Sequence, residues 1–449
     1  MKKITALLAF FALICFALPP GVNAAKLSED VLSKKKEGYY VTGLPLVNFS
    51  SDDGFGYGAR VYLYNNGQKD DAFFDSTPYF MQLYAQYFAT TGGVQYHELN
   101  LDMPYFLGTK FRVLTALVYN IELNANYFGQ GADAAQQKFS PSAAAPETFS
   151  KYADFADWVD DNEGYAKYYN YTIHKPKTYI YLFRNLTEEL KLMVGAEFKY
   201  INIYSWKDEK FDGDRQIITK FDEDRDKLTG TPGGWTNFAR FGIGYDTRDY
   251  EPDPNKGFYI DYCIEMGTGL LGSEYTWVKN NAQAQLYLNP VKSLVFAFRV
   301  GYTAAALDIP FYEEDYFGFA LNRRQGLGGN RTLHGYKKSR FVGRTMTVGN
   351  FEPRWEFAEV SGAGQRFAFQ LVGCLDAGNV YDDSMDPFTD PRFDDYKIGY
   401  GGGLAIAWNQ ATIVHFLYGR SSEDSSISCL LYTSPSPRDR TRSRMPSSA

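Results

Sequence analysis

Few stretches of this 449-residue chain combine residue types and spacing that could do chemistry. "GTGLLG" (267–272) has the glycine spacing of a phosphate-cradling loop. It joins two alternating segments rather than a strand and a helix, so it reads as a hairpin loop. The acidic stretches "FDEDRD" (221–226) and "DPFTDPRFDD" (386–395) offer carboxylates to a divalent cation, but neither has the glycine and closing glutamate of an EF-hand. They read as solvated loops. The four histidines, at 97, 174, 334 and 415, are too scattered for metal-ligand spacing, and no G-x-S-x-G marks a serine nucleophile. The expectation is a non-enzyme with no cofactor and no metal.

The elements around these stretches are more informative. Alternation of apolar and polar residues recurs along most of the chain. In "LKLMVGAEFKY" (190–200), Leu190, Leu192, Val194, Ala196, Phe198 and Tyr200 share one face, opposite Lys191, Glu197 and Lys199. "LVFAFRVGYT" (294–303) and "FYIDYCIEM" (258–266) repeat the pattern, with Arg299, Asp261 and Glu265 on the polar face. Aromatic residues make up 17% of the chain, yet mean hydropathy is −0.36, as strands with one apolar and one polar face require. About fifteen such segments run from near Gly38 to near Arg420, each close to the roughly ten residues that cross an outer membrane.

Loop length sorts by parity. Compact connections at 104–110, 185–189, 249–256, 289–292, 358–366 and 409–410 alternate with a set that holds the longest ones, 130–166, 207–235, 306–341 and 382–394. A soluble sandwich has no reason for that asymmetry. An outer-membrane barrel has short periplasmic turns and long external loops. The fold class expected is therefore all-β, an antiparallel transmembrane β-barrel of the 16-stranded type. Within the third external loop, 146–169 has the composition of a short helix.

The N-terminus carries Lys2 and Lys3, an apolar run from Ile4 to Leu18, and small residues up to Ala24. This is the pattern of a cleaved signal peptide over 1–24, and the apolar run is shorter than a membrane span needs. Residues 25–37 then form a short periplasmic lead, too short for a folded domain, and 38–428 the barrel. Cys263 and Cys374 are the cysteines expected to remain in the barrel, and they read as two small buried side chains. The net charge of −7 argues against nucleic acid as a partner.

Two stretches carry a family resemblance: "GIGYDTRDYEPDPNKGFYIDY" (242–262), and "RRQGLGGNRTLHGYKKSRFVG" (323–343) followed by "NFEPRWEF" and "CLDAGNVYD". In motif order, placement on strands and length, the chain resembles the barrel of the BamA/TamA superfamily, the bacterial surface-antigen fold. The resemblance implies that the sixth external loop folds back into the lumen. An arginine at its tip, before Gly and an aromatic, would meet carboxylates of the next strands. Gly335 and Tyr336 match that tip, and His334 stands where the arginine is expected. The matching carboxylates are Glu352 and Asp376, which alternation turns inward. Either His334, protonated beside them, makes the contact, or Arg331 or Arg324 takes it over, or the loop is looser.

What the resemblance implies for function is insertion or translocation of proteins or lipids at the outer membrane of a Gram-negative bacterium, through a weak seam between first and last strands. Outer-membrane lipids including lipopolysaccharide, and client outer-membrane proteins, are the implied partners. A passive pore or a surface receptor acting through the long loops is the alternative. A barrel enzyme lacks a convincing Ser/His/acid set.

An even strand count requires one more strand after "TIVHFLYGRSS". The chain continues instead into "CLLYTSPSPRDRTRSRMPSSA" (429–449), where Pro435 and Pro437 lack ladder donors. The closing strand is thus expected to be replaced by a foreign, disordered tail over 429–449, leaving the seam unsealed.

Overall fold

The computed structural model describes Leu32 and residues 35–433, apart from 143–144, 209, 212–214, 250–253, 363–364 and 409–411. The expected signal peptide, most of the lead and residues 434–449 lie outside the described residues.

Alternation produces strands along nearly the whole described chain. The first five are β1 (Tyr39–Ser50), β2 (Gly54–Asn65), β3 (Met81–Thr90), β4 (Val94–Met103) and β5 (Phe111–Asn126). The next six are β6 (Lys177–Asn185), β7 (Leu190–Tyr204), β8 (Phe238–Asp246), β9 (Gly257–Gly267), β10 (Trp277–Val291) and β11 (Leu294–Leu307). The last five are β12 (Thr345–Gly362), β13 (Gln365–Tyr381), β14 (Lys397–Trp408), β15 (Thr412–Arg420) and β16 (Ser425–Thr433). One sheet holds these and two short segments, Asn170–His174 and Gly234–Trp235, which continue the lines of β6 and β8. Sixteen antiparallel strands thus form a ring that closes where β1 meets β16. The break before β6 falls at Lys175-Pro176, where proline cannot donate to the ladder.

Residue types on the two faces follow the pleat. On β9, Ile260 is 50% exposed and Asp261 2% exposed. Phe258 and Tyr262 point outward with Ile260, whereas Tyr259, Cys263 and Glu265 are buried toward the lumen. Leu99, Leu117, Val300, Trp355 and Leu371 continue the apolar exterior. An apolar outside and a polar inside is what a barrel in hydrocarbon needs. The connections 127–176, 205–237, 308–344 and 382–396 all lie at one end of the ring, as the parity of loop lengths requires. The third loop contains the expected helix, Tyr152–Asp160. The expected hairpin at 267–272 is a single tight turn, Gly269–Leu271, between β9 and β10.

One expectation is corrected. The closing strand is present: β16 pairs with β15 from Ser425 opposite Arg420 to Thr433 opposite Thr412. The described strand thus runs past the boundary expected at 428, to Thr433. A backbone ladder needs donors and acceptors rather than a hydrophobic pattern, and no proline falls within Ser425–Thr433. The described contact that closes the ring is short. Tyr39 to Ser50 all pair with β2, but the described ladder between β1 and β16 holds only Phe49 opposite Cys429 and Ser50 opposite Ser428. Ser51 adds a bond from its N–H to the Ile427 carbonyl at 3.1 Å, also at the external end.

That register makes a prediction. Phe49→Cys should form a disulfide with Cys429 under mild oxidation and give a reductant-reversible mobility shift in a denaturing gel. Val41→Cys should give none, and equal shifts for both would refute the register.

Candidate functional site

The connection between β11 and β12 (308–344) is the sixth external loop, and it turns back into the ring. It enters through a short helix, Phe311–Glu314, and a small hairpin of Tyr316–Gly318 with Arg323–Gln325. Phe317, Phe319, Leu327, Leu333, Tyr336 and Phe341 pack against Met346, Val348 and Val380 of the wall. Gly328 has φ +122°, and a Cβ there would lie 2.0 Å from the Lys337 carbonyl oxygen, so only glycine lets the loop fold onto itself. Buried Thr332 spans the turn, donating to the Gly326 and Gly328 carbonyls at 2.8 and 2.9 Å.

Charges fix the entering limb. Arg323 lies 2.8 Å from Glu313 and 3.1 Å from Glu265, and Arg240 lies 2.9 Å from the same Glu265. Lys199 also pairs with Glu313, and Lys279 donates to the Glu313 carbonyl at 2.6 Å. Asp315 ties the limb to the returning one: it accepts from Ser339 Oγ at 2.7 Å and from the Gly326 N–H at 3.2 Å. Burial pushes its carboxyl up to about 6, although both hydrogen bonds pull it down.

The structure brings the tip and one of the two expected carboxylates together. His334 Nδ1 lies 2.6 Å from Asp376 Oδ2, and the His334 N–H donates to the same oxygen at 3.0 Å. Asn350 holds the other carboxylate oxygen at 2.6 Å and also donates to the Thr332 carbonyl. Burial works against charging the imidazole, but hydrogen bonds to Asp376 and Cys374 and the charge of Asp376 outweigh it and push the His334 pKa up to about 10. Glu352, the other expected carboxylate, pairs with Arg354 on its own strand. Arg331 contributes its carbonyl, which accepts from Arg299 at 2.8 Å, while its side chain is exposed.

Gly335 has φ +82° and sits against the β15–β16 hairpin. Its N–H donates to Ser426 Oγ at 3.1 Å and its carbonyl accepts from Ser421 Oγ at 2.8 Å. Tyr336 reaches Ser422 at 3.2 Å. The wall is cut back to receive the tip. A Cβ at Gly399 would lie 2.2 Å from the His334 carbonyl oxygen, and one at Gly419 would lie 2.7 Å from the His334 Cβ.

The returning limb holds residues that sequence reasoning missed. Lys337 pairs with Asp424 at 3.2 Å and Arg340 with Glu423 at 2.8 Å, both just before β16. Lys338 reaches Asp53, just after β1, at 3.4 Å and Glu122 at 3.0 Å. The loop therefore bridges the external ends of the two seam strands. The signal was the basic run "KKSR" together with the acidic "SDD" (51–53) and "SED" (422–424), whose proximity needs the closed ring. Inward glycines at 399, 401 and 403 were a second, unread signal.

A profile of the Omp85 superfamily domain matches residues 85–417, well over half of the chain. This chain belongs to the Omp85 superfamily. It is a non-enzymatic barrel of the Gram-negative outer membrane, in a superfamily concerned with translocating macromolecules there. A second profile, domain of unknown function DUF5982, matches residues 22–80. A search of curated proteins gives no match. Among solved structures, BamA from Haemophilus ducreyi lacking POTRA domains 1–3 is similar at a TM-score of 0.53 and 12% identity, over 88% of this chain and 71% of that one. CdiB from Escherichia coli is similar at 0.53 and 11%, over 87% of this chain and 63% of its own. At such identities the likeness shows the shared barrel.

Two outcomes are expected of this Omp85 barrel. Removing one partner of a buried ion pair costs roughly 3–5 kcal/mol. Asp376→Ala should therefore lower the temperature at which the folded band is lost in a heat-modifiability gel, whereas Glu352→Gln, at a more exposed pair within one strand, should lower it much less. A carboxyl whose folded pKa is raised favours the folded state while protonated, below its unfolded value near ~3.9, and loses that advantage as pH climbs through the folded one. Asp315→Asn should therefore raise heat resistance at pH 7.5, by up to about 3 kcal/mol, and the difference from wild type should vanish below about pH 4. A difference that is constant with pH would contradict this.

Proposed function

We propose that this Omp85 barrel admits client proteins or lipids of the outer membrane at its own β1–β16 seam, with loop 6 as the clamp on the seam's external end. The observation that carries the reading is the short described ladder between β1 and β16 beside full pairing of β1 with β2. An unpaired strand edge is a template for another strand. In hydrocarbon it is a place where backbone groups still seek partners. A lumen packed with loop 6 side chains argues against a passive pore. Clients with β-strands of their own fit the edge by strand addition, and lipids, lipopolysaccharide included, fit the gap as neighbours of the wall.

The test is depletion of the protein followed by an inventory of outer-membrane proteins and lipids, with complementation by the Phe49→Cys chain. Wild type should restore whichever component falls. The oxidised Phe49→Cys chain should not, and reductant should rescue it. Full restoration by the covalently closed seam would overturn the reading. So would an unchanged inventory together with a steady, large current in planar bilayers.

A further inference from the structure

We propose that His334, Cys374 and Asp376 form a binding site for Zn2+ that pins the tip of loop 6 to β13. A ring nitrogen of His334, the Cys374 sulfur and a carboxylate oxygen of Asp376 all lie within 4.8 Å of one another. All three residues are buried, at 7%, 7% and 2% exposure. Cys374 and Asp376 are two apart on β13, so the pleat turns both to the lumen, and the loop brings His334 onto them.

Two further observations point to a ligand. His334 Nε2 is buried without a well-formed hydrogen bond among the described residues, and the Cys374 thiol lies beside the same imidazole. Cys374 is a free thiol beside an imidazole and a carboxylate. The other buried cysteine, Cys263, packs among Tyr181, Met193 and Ala320 instead.

The donor set selects the metal. Thiolate and imidazole favour Zn2+ over Mg2+ or Ca2+, which take oxygen ligands. Metal–ligand bonds of about 2.0–2.3 Å hold tetrahedral ligand atoms roughly 3.3–3.8 Å apart, so the direct contact of His334 Nδ1 with Asp376 would open by about an ångström as the metal enters between the ligands. A water completes the fourth position. The thiol proton and one imidazolium proton leave as the bonds to sulfur and nitrogen form. Asn350, on the second Asp376 oxygen, orients that carboxylate from outside the site. An arginine at 334 would hold Asp376 but could not ligate a metal; histidine does both. The site rests on the docked tip and not on the translocation reading.

The test uses the full chain in detergent, without an oligohistidine tag and with Cys429→Ser throughout to remove the half-exposed thiol. After loading with ZnCl2 and dialysis, the chain should retain one Zn2+, and so should Cys263→Ser. Cys374→Ser and His334→Gln should bind Zn2+ about tenfold or more weakly. Zn2+ should raise, and EDTA lower, the temperature at which the folded band is lost. Co2+ should give a thiolate-to-metal charge-transfer band that Cys374→Ser lacks. Equal retention of Zn2+ by Cys374→Ser overturns the site. If that variant does not fold, absence of the band in the chain that retains Cys374 overturns it.

Discussion

The rule that hydrocarbon offers no partner to a backbone N–H or C=O governs this molecule. It forces the strands into one ring, and every neighbouring pair from β1–β2 to β15–β16 obeys it with a long ladder. The seam between β1 and β16 is the described exception, joined at its external end by Phe49, Ser50 and Ser51. Among the described residues, the rest of β1 has its ladder with β2 alone. Membership of the Omp85 superfamily gives the exception a context, because that superfamily is concerned with translocating macromolecules at this membrane.

The lumen obeys a second rule. Charges out of water persist only when paired, and nearly all the ion pairs described above have loop 6 as a partner. Arg323 and Glu313 lock its entry against Glu265 and Lys199, and His334 meets Asp376 at its tip. Lys337, Lys338 and Arg340 lock its exit against Asp424, Asp53 and Glu423. These last contacts join the loops that flank the two seam strands. The plug and the clamp are thus one element, so a change that loosens the tip also reaches the seam.

Much of the barrel was legible in the chain, because side-chain period, strand length and the parity of loop lengths are local quantities. Alternation alone places Ile260 outside and Asp261 inside, and the long connections could be assigned to one end without any contact being known. Gly335, Tyr336 and Asp376 were legible through motif resemblance. The closing strand was misjudged because its residues were weighed by pattern, whereas β16 is held by backbone donors and by a partner strand already in place. The resemblance and the inward face of Glu352 both point it at the tip, and neither can tell that Arg354, two residues away, pairs with it. The basic run at 337–340 and the glycines 399 and 419 carried no visible meaning, since their partners lie far off in sequence. His334 and Cys374 are 40 positions apart, beyond any metal-ligand spacing that a linear search recognises. The sequence by itself determined which face of each strand meets lipid and which connections are long. Only the tertiary structure decided what the inward faces touch, because a loop that folds back through a closed ring makes neighbours of residues that no local period relates.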